Sequence, residues 1–453
     1  MILYSTNNKD LRVSFKEAVF NSMPQDKGLY MPVEIPTLDA DFIQNIEQYS
    51  LPEIAYKIAS TLLKDEIPAV DLKALIEDAI NFDAPAVKLD DQTFVLELFH
   101  GPSLAFKDFG ARFMSRVMAY FLNDGEQLLD VLVATSGDTG GAVALGFLGV
   151  PNTRVTILYP EGKVSPIQEL QLTTNGNNIR AIEVKGTFDD CQALVKQAFA
   201  DPELNSKFRL TSANSINISR LIPQTFYYFN TYAQLKKQGI QDVIFSVPSG
   251  NFGNIGAGLL AYKLGLPVKQ FIAATNINDT VPRFLESGIY QTRPSSQTYS
   301  NAMDVGAPSN WIRIMDLFDQ DIDKLKEVVT SYRFNDEETL KGIKNLDEKL
   351  NYVACPHTAI AYLAIEKYRE ENPAENSAAV FLSTAHPCKF PDIFPAGIAA
   401  KIDIPEQVTA LESLPKHADQ LEADFDGFKR YLLNKSSCSK EFITPLDGRS
   451  ATI

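Results

Sequence analysis

Short apolar or β-branched runs alternate with helical stretches from residue 94 onward, and this alternation limits the folds that the chain can adopt. The runs that predict strands cover residues 94–99, 128–134, 155–159, 179–184, 243–247, 271–275 and 379–382. Helical stretches such as residues 189–200 and 255–264 lie between several of these runs. Strands that alternate with helices indicate an α/β architecture, in which mainly parallel sheets are covered on both faces.

The first ninety residues show a different pattern, which predicts mostly helix. Ser14 and Glu17, and likewise Ser50 and Glu53, have the spacing of a capping box at a helix start. Apolar residues then recur at helical spacing over residues 54–63. We therefore expect a helical N-terminal region at residues 1–92, a first α/β lobe at 93–230, a second α/β lobe at 231–400 and a C-terminal extension at 401–453.

Length and charge exclude several classes of protein. With 453 residues, the chain is too long for one hydrophobic core and suggests two or three domains. Its formal net charge of −15 argues against a surface that binds nucleic acid or an anionic membrane. No apolar run approaches the length of a membrane span, and the start of the chain lacks the pattern of a secretory leader.

Lys107 lies in GPSLAFKDFG, residues 101–110, directly after the first predicted strand. Its apolar neighbours Leu104, Phe106 and Phe109 predict that the ammonium is partly desolvated, which lowers the pKa of a lysine. An amine with a lowered pKa is the nucleophile that a Schiff base to an aldehyde requires. The alternative is an ordinary solvated loop lysine.

A turn rich in glycine and asparagine, PSGNFGN at residues 248–254, follows one predicted strand and opens a predicted helix. Such a turn offers outward-pointing N–H groups and a favourable helix dipole to a phosphate. The candidate phosphate-binding residues are Gly250, Asn251, Phe252, Gly253 and Asn254. The turn has neither the glycine spacing of a dinucleotide site nor the lysine of a triphosphate loop. An ordinary strand-to-helix turn is the alternative.

Two further polar segments have a similar character. ATSGDTGGA at residues 134–142 places hydroxyls and N–H groups at a predicted helix start, which suits a carboxylate or a phosphate. Asp138 within it either caps the helix or accepts a hydrogen bond from a ligand hydroxyl. NSINISR at residues 214–220 could hold a second phosphate through Arg220, or could be a helix cap with a solvated arginine.

Together with LSTAHP at residues 382–387, these segments resemble the threonine synthase family, which consists of pyridoxal-phosphate enzymes of the tryptophan-synthase-β structural class. The resemblance runs from the start of the chain to about Phe390. It is close in VSFKEA at 13–18, LFHGPSLAFKDFG at 98–110, ANSINISR at 213–220, AATN at 273–276 and NDTVPRF at 278–284. It implies a fold type II enzyme of the longer, bacterial and fungal type, in which two α/β lobes close over pyridoxal 5'-phosphate behind a helical N-terminal region.

The resemblance also implies a role for each matched residue. Lys107 would form the Schiff base with the cofactor, Thr384 would place a hydroxyl at the pyridine nitrogen, and Asp138 would lie near the ring hydroxyl. The cofactor phosphate would be bound by Gly250, Asn251, Phe252, Gly253 and Asn254. The substrate carboxylate would be bound by Thr135, Ser136, Gly137 and Thr139, and the substrate phosphate by Asn214, Ser215, Asn217 and Arg220.

The implied reaction converts O-phospho-L-homoserine and water to L-threonine and inorganic phosphate, by γ-elimination of phosphate and β-addition of water. One alternative is another enzyme of this class, a threonine or serine dehydratase or a β-replacement synthase, which needs no site for a substrate phosphate. The other alternative is a non-catalytic protein that binds a phosphorylated ligand. The sequence leaves the oligomeric state open.

The cysteines indicate the compartment and raise the question of a metal. The chain has Cys191, Cys355, Cys388 and Cys438. Because they lack the spacing of a disulfide framework, they indicate reduced thiols and a cytoplasmic protein. The pairs Cys355/His357 and His386/Cys388 are possible zinc ligands, but a separation of one residue is unusual in structural zinc sites. We therefore expect no metal.

Overall fold

The structure, a computed structural model, describes residues 1–122 and 127–435. Cys438, one of the cysteines considered above, lies outside the described residues. The strands are β1 (Ile2–Ser5), β2 (Asn8–Ser14), β3 (Tyr30–Pro32), β4 (Ala86–Lys88), β5 (Thr93–Glu97), β6 (Leu129–Ala134), β7 (Thr153–Pro160), β8 (Ile179–Lys185), β9 (Arg209–Ser212), β10 (Val243–Pro248), β11 (Gln270–Thr275), β12 (Val329–Arg333), β13 (Ala378–Ser383) and β14 (Asp419–Glu422).

The α-helices are α1 (Phe15–Asn21), α2 (Ala40–Gln44), α3 (Leu51–Leu63), α4 (Ala69–Ala79), α5 (Lys107–Phe121), α6 (Asp138–Phe147), α7 (Pro166–Thr173), α8 (Phe188–Ala200), α9 (Pro202–Lys207), α10 (Ile218–Leu221), α11 (Gln224–Lys236), α12 (Gly253–Lys263), α13 (Thr280–Ser287), α14 (Trp311–Leu317), α15 (Ile322–Val328), α16 (Asp336–Leu350), α17 (Pro356–Glu371), α18 (Ala396–Ala399), α19 (Glu406–Glu412) and α20 (Phe425–Lys435). Short 3₁₀ helices lie at Ile46–Gln48, Lys64–Glu66, Asn301–Met303, Pro387–Lys389 and Pro391–Ile393. Within the described part of the chain, no helix has the length and apolar character that crossing a bilayer requires.

Two mainly parallel sheets form the framework of the molecule. The five-stranded sheet has the order β14-β8-β7-β6-β9, and all its neighbouring strands are parallel. The six-stranded sheet has the order β12-β11-β10-β13-β5-β4, and its antiparallel pair is β4–β5 at one edge. Parallel neighbours require crossover connections, and helices supply most of them. The prediction of an α/β fold with mainly parallel sheets is confirmed.

Helices cover both faces of the sheets, which explains why the strands form nearly continuous apolar runs in the sequence. In β10, the side chains of Val243 and Phe245 belong to a central core that both sheets share. The next side chain, Ile244, belongs to a second cluster with α16 and α17. In β6, Leu132 and Ala134 belong to a third cluster with α8 and α20. Burial on both faces supplies the main favourable contribution to folding.

Local sequence signals located the inner strands of the two larger sheets. All seven predicted strands are present within two residues of the expected ends, and so are the helices predicted at 189–200 and 255–264. The capping boxes are confirmed, because Glu17 accepts a hydrogen bond from the N–H of Ser14, and Glu53 from that of Ser50. β9 and β12 were not predicted. Both are edge strands with polar residues, so they lack a continuous apolar run.

The expectation that residues 1–92 are mostly helical is only partly right. β1, β2 and β3 form an antiparallel sheet of order β2-β1-β3, ahead of α2, α3 and α4. β2 has the sequence NKDLRVS and is largely exposed, so it carries no strong apolar signal. The sheet forms because β1 pairs with both neighbours, a contact that the local sequence does not reveal.

The predicted domain boundaries also differ from the sheets that the strands join. β5 was placed in the first lobe at 93–230, but it pairs with β13 of the six-stranded sheet. β14 lies in the predicted C-terminal extension, but it pairs with β8 and adds an edge to the five-stranded sheet. Sequence order does not show such pairings, because strands distant along the chain come together only in the folded sheet.

Gly258 allows α12 to pack closely on its neighbours. A Cβ atom added at this position would lie 2.7 Å from Cε1 of Phe271 in β11 and 2.9 Å from Cζ of Tyr228 in α11. Real Cβ atoms do not approach other atoms so closely, so a larger residue requires the helix or the rings to move. Because α12 begins at Gly253, this contact also sets the position of the predicted phosphate-binding turn.

We expect Gly258→Ala to lower the free energy of unfolding by about 1–3 kcal/mol, because the added methyl group overpacks the core. Urea denaturation measures the change. Gly397→Ala is the control, because a Cβ atom there has no atom within 4 Å, and it should leave stability unchanged or slightly higher. Equal denaturation midpoints for the Gly258→Ala protein and its parent would contradict the close packing.

Candidate active site

The carboxyl ends of the parallel strands bring the predicted site segments together. β5, β13 and β10 are parallel neighbours, so the segments that follow them leave the sheet at the same edge. These segments carry Lys107, Thr384 and the turn at 250–254. In the five-stranded sheet, β6 and β9 are parallel neighbours, and the segments after them carry the turn at 135–140 and the cluster at 214–220. The carboxyl edge is where α/β sheets usually bind ligands.

Backbone hydrogen bonds join the lysine loop to the segment after β13. The N–H of Phe106 donates to the carbonyl of Thr384 (2.9 Å), and the N–H of His386 donates to the carbonyl of Leu104 (3.0 Å). Leu104 has a φ of 58°, a left-handed conformation that costs free energy in a residue with a side chain. The paired loop holds Lys107 at the first residue of α5, close to Thr384.

Lys107 is desolvated, as its apolar neighbours predicted. Its side chain is 17% exposed, and its Nζ lies 4.0 Å from Oδ2 of Asp138 and 4.9 Å from the ring centre of Phe106. Burial lowers the pKa of Lys107; Asp138 opposes this shift, whereas Lys389 and Arg220 add to it. The side chain is therefore a neutral amine at a lower pH than an ordinary lysine.

Asp138, the first residue of α6, lies at the centre of a buried polar cluster. Its Oδ1 accepts hydrogen bonds from Nζ of Lys389 (2.7 Å) and Nε2 of Gln168 (2.8 Å). Burial raises the pKa of Asp138, but Lys389 and Lys107 lower it by more, so the carboxylate stays ionised. Sequence analysis identified neither Lys389 nor Gln168. Lys389 also lies within an apolar stretch of the sequence, which is the signal that identified Lys107.

The turn after β6 contains residues that shape it and residues that a ligand can reach. Oγ1 of Thr135 accepts hydrogen bonds from the N–H groups of Gly137 (3.0 Å) and Gly140 (2.8 Å), so this hydroxyl organises the start of α6. Gly137 has a φ of 132°, which favours glycine. Ser136 and Thr139 are partly exposed, which leaves their hydroxyls accessible.

The turn at 250–254 brings its backbone close to the start of α12. Phe252 has a φ of 59°, and Gly253 is the first residue of the helix. A Cβ atom added at Gly250 would lie 2.6 Å from Cα of Met303, so the two segments pass each other in close contact. This conformation leaves the first N–H groups of α12 without helical acceptors, as an anion site requires.

Asn254 presents a buried donor at the same helix start. Its Oδ1 accepts hydrogen bonds from the hydroxyls of Tyr227 and Tyr228, both at 2.7 Å. Its Nδ2 is buried and has no hydrogen-bond partner. A buried donor without an acceptor costs free energy, and a bound anion would remove that cost.

Side-chain hydrogen bonds join the three polar segments to one another. Nδ2 of Asn251 donates to Oγ of Ser215 (2.7 Å), and Oδ1 of Asn251 accepts from the N–H of Ser309 (2.6 Å). Nδ2 of Asn214 donates to the carbonyl of Ala134 (3.1 Å), at the end of β6. The cluster at 214–220 therefore links the turn of one sheet to the turn of the other.

Arg220 is buried, whereas the helix-cap alternative for its segment predicted a solvated arginine. It is 3% exposed, its Nη1 donates to the carbonyl of Ala213 (2.6 Å), and its Nε is buried without a partner. Burial lowers the pKa of Arg220 to about 10. Asp108 is also buried with one unpartnered oxygen, and burial raises its pKa to about 6. A buried arginine with an unused N–H is suited to an anionic ligand.

Asn217 has a structural role that differs from the predicted contact with a substrate phosphate. Its Nδ2 donates to the carbonyl of Val19 (2.8 Å) and to Oγ of Ser22 (2.9 Å). Its Oδ1 accepts from the N–H (3.0 Å) and the hydroxyl (2.7 Å) of Ser219. Asn217 therefore caps α10 and joins it to the N-terminal region, whereas its contact with a substrate phosphate stays a prediction.

Sequence analysis did not identify Arg313, a fully buried arginine behind the cluster. Its Nη1 donates to Oδ1 of Asn310 (2.8 Å) and to the carbonyl of Ser215 (3.2 Å). Its Nη2 donates to the carbonyls of Ile216 (2.6 Å) and Tyr30 (3.3 Å). Burial lowers the pKa of Arg313 to about 9, and no carboxylate among the described residues pairs with it. Arg313 therefore joins the N-terminal region to the site and adds positive charge there.

The Cys/His pairs are used for contacts within the protein. Sγ of Cys355 lies 3.8 Å from Nδ1 of His357, and Nε2 of His357 accepts from the N–H of Ala302 (3.2 Å). Nδ1 of His386 accepts from the N–H of Cys388 (3.2 Å). Across residues 1–122 and 127–435, no group of three or more His, Cys, Asp or Glu side chains is placed to hold a metal ion.

These groups fit a ligand that carries both an aldehyde and a phosphate. The desolvated amine of Lys107 suits the aldehyde. The start of α12 and the unpartnered Nδ2 of Asn254 suit the phosphate. The unpartnered Nε of Arg220 offers a donor to a second anion. The arrangement can therefore bind a cofactor such as pyridoxal 5'-phosphate and an anionic substrate together.

Comparison with protein families identifies the class of enzyme that has this site. The family described as pyridoxal-phosphate dependent enzyme matches residues 82–384. The families described as threonine synthase N terminus and threonine synthase, C-terminal, match residues 3–80 and 358–432. The chain is a pyridoxal-phosphate-dependent enzyme.

Relatives that match along nearly the whole chain identify one family within this class. Threonine synthase from Serratia marcescens is 44% identical, over 96% of this chain and 99% of its own length. The crystal structure of threonine synthase from Escherichia coli has a TM-score of 0.88 and 43% identity, over 96% of this chain and all of the other. A pyridoxal-phosphate-bound threonine synthase from Brucella melitensis has a TM-score of 0.89 and 34% identity, over 96% and 99%. The chain belongs to the threonine synthase family and is a pyridoxal-phosphate-dependent lyase, which confirms the resemblance seen in the sequence.

We expect Arg313→Met to lower the free energy of unfolding by at least about 2 kcal/mol, because the carbonyls that it binds lose a donor and each costs about 1–3 kcal/mol when left unpaired. Urea denaturation measures this change. Arg283→Met is the control, because the side chain of Arg283 is 45% exposed and its ion pair is screened by solvent. An Arg313→Met protein that is as stable as its parent would show that water replaces the guanidinium at these carbonyls.

Proposed function

We propose that this chain converts O-phospho-L-homoserine and water to L-threonine and inorganic phosphate, with Lys107 as the residue that bonds to the cofactor. One observation carries the proposal. The desolvated amine of Lys107, the segment at Thr384 and the turn at 250–254 lie at one edge of the six-stranded sheet. Membership of the threonine synthase family supports the same reaction.

The geometry of that edge supports an assignment of the residues that would hold the cofactor. Pyridoxal 5'-phosphate, when bound, withdraws electrons and so stabilises negative charge on the substrate carbon next to the amino group. We assign Thr384 to the pyridine nitrogen and Asp138 to the side of the ring hydroxyl. A threonine hydroxyl cannot hold that nitrogen protonated as a carboxylate would, so electron withdrawal is moderate. The phosphate is assigned to Gly250, Asn251, Phe252, Gly253 and Asn254.

Lys107 has a second role as the group that moves protons. Displaced from the cofactor, Lys107 would be a free amine in a largely buried position. Because burial lowers its pKa, the neutral form that accepts a proton is present at a lower pH than for an ordinary lysine. The protonated amine can then return the proton to the substrate, so one residue serves as base and acid in turn.

The two polar segments of the five-stranded sheet are assigned to the substrate. Ser136, Gly137 and Thr139 bind its carboxylate, and Thr135 keeps their turn in shape. Asn214, Ser215 and Arg220 bind its phosphate, and Asn217 supports them from behind. Burial of this pocket strengthens the attraction between Arg220 and an anion and limits the entry of water.

The alternative functions differ in whether the substrate carries a phosphate. A dehydratase or a β-replacement synthase acts on substrates without a phosphate and does not need a buried arginine there. The unpartnered Nε of Arg220 therefore favours a phosphorylated substrate. A non-catalytic binding protein is disfavoured, because the chain belongs to a family of enzymes along almost its entire length.

We also propose a cytoplasmic location and a small-molecule substrate as the ligand of this site. The buried thiols of Cys191, Cys355 and Cys388 are unpaired, as in a reducing compartment, and the formal net charge of −15 does not favour nucleic acid or anionic membranes. Fractionation of cells that express the tagged chain tests the location, and recovery in a membrane or secreted fraction would contradict it.

Reduction with borohydride should trap the cofactor on Lys107, because the bond between the amine and the aldehyde then becomes permanent. Mass mapping of peptides should find the adduct on the peptide that contains Lys107, and Lys107→Ala should abolish it. Lys401→Ala, which changes an exposed lysine, should keep the adduct. An adduct on another lysine would overturn the assignment.

Arg220→Met should reduce kcat/KM for phosphate release from O-phospho-L-homoserine by about tenfold to a hundredfold, since a charge-assisted hydrogen bond contributes about 1.5–3 kcal/mol. Affinity for the cofactor, measured by fluorescence titration, should change little. Ammonia production from threonine, measured in parallel, distinguishes the dehydratase. Ammonia without phosphate in the parent protein would rule out the proposed reaction.

A further inference from the structure

Lys389 is a second lysine in the candidate active site, at the end of the 3₁₀ helix Pro387–Lys389. Its side chain is 0% exposed, and its Nζ donates to Oδ1 of Asp138 (2.7 Å) and to the carbonyl of Ser103 (2.8 Å). Ser103 belongs to the loop that carries Lys107. Lys389 therefore contacts both the carboxylate beside Lys107 and the loop that positions Lys107.

Asp138 is the carboxylate that the two lysines share. Lys389 lies 2.7 Å from its Oδ1, whereas Lys107 lies 4.0 Å from its Oδ2. One carboxylate compensates one ammonium, and the closer ion pair is the one with Lys389. A second ammonium at Lys107 would be a buried charge without its own counter-charge, which is costly.

The other ionisable groups around Lys107 do not supply that counter-charge. Arg220, from α10, adds positive charge. Burial raises the pKa of Cys355, at the start of α17, so its thiol stays neutral. Burial lowers the pKa of His357 to about 4, so its ring is neutral as well. Asp108, the next residue in α5, accepts a hydrogen bond from the N–H of Ser103. Its charge acts on Lys389, Arg112 and Arg220, and it is not among the groups that shift the pKa of Lys107.

We propose that Lys389 is a positioning residue that occupies Asp138 and thereby leaves Lys107 as a free amine, ready to bond to an aldehyde. The proposal rests on the assignment of Lys107 as the cofactor lysine. Without the ammonium of Lys389, Asp138 has Lys107 as its nearest cation and stabilises it in the protonated form. A protonated amine is not a nucleophile, so attachment of the cofactor slows.

Competitive acylation of the cofactor-free protein with acetic anhydride measures this effect directly. Labelling of Lys107, read by peptide mass spectrometry as a function of pH, follows the fraction of neutral amine. We expect Lys389→Met to move the labelling midpoint to higher pH and to reduce labelling at neutral pH at least about fivefold. Lys389→Arg, which keeps a positive charge, should restore most of the labelling.

Lys401→Met is the matched control, because Lys401 also forms an ion pair with an aspartate, Asp347, but is half exposed and is not among the groups that shift the pKa of Lys107. It should leave the labelling midpoint of Lys107 unchanged. Circular dichroism verifies that each variant is folded. An unchanged midpoint in folded Lys389→Met protein would overturn the proposal.

A double substitution separates the charge effect from a purely structural role. Asp138→Asn removes the carboxylate that raises the pKa of Lys107, so alone it should move the labelling midpoint to lower pH. Combined with Lys389→Met, it should return labelling at neutral pH to within about twofold of the parent, because both charges are then absent. If Lys389 only supports the loop, labelling in the double variant would stay as low as in Lys389→Met. If Lys389→Met alone does not fold, the folded double variant and Asp138→Asn test the proposal instead. An unchanged labelling midpoint in Asp138→Asn would then overturn the proposal.

The borohydride experiment tests the assignment of Lys107 separately from the proposed role of Lys389. If the cofactor is trapped on another residue, the assignment fails. The labelling midpoint of Lys107 is measured without cofactor, so it reports the charge balance among Lys107, Asp138 and Lys389 in either case.

Discussion

The parallel pairing of β5, β13 and β10 is the constraint on which the active site depends. Glu97 pairs with Ser383, and Phe381 pairs with Ser246, so all three strands end at one edge. The hydrogen bonds between the lysine loop and the segment after β13 continue this pairing beyond the sheet. Because a shift of one residue in register would turn every side chain to the opposite face, the same pairing fixes both the core and the direction of the site segments.

The charge of the site is opposite in sign to the net charge of the whole chain. The formal net charge is −15, yet the site contains the buried cations Lys389, Arg220 and Arg313, and the carboxylate of Asp138 pairs with Lys389. Charges in a buried site interact more strongly than charges in water, so the local excess of cations governs binding there. This balance explains how an acidic protein can bind a phosphorylated cofactor and a phosphorylated substrate side by side.

Several features of the same region are unfavourable in free energy, and a bound ligand can offset part of this. Leu104 and Phe252 have left-handed backbone conformations, and Asn254 and Arg220 each keep a buried N–H without an acceptor. Strained residues and unpartnered polar groups persist where the surrounding structure holds them, and they concentrate at functional sites. Close packing of α12 through Gly258 supplies part of that support, since it fixes the helix at whose start two of these residues lie.

The sequence by itself determined the inner strands and several helix starts, because apolar runs, capping residues and glycine-rich turns act over a few neighbouring residues. It therefore located the seven strands, the desolvation of Lys107 and the turn at 250–254. Only the tertiary structure decided that β5 joins the six-stranded sheet, that Asn217 is a helix cap, and that Lys389 meets Asp138. These outcomes depend on contacts between segments far apart along the chain, and such contacts arise only when the sheets and helices pack together.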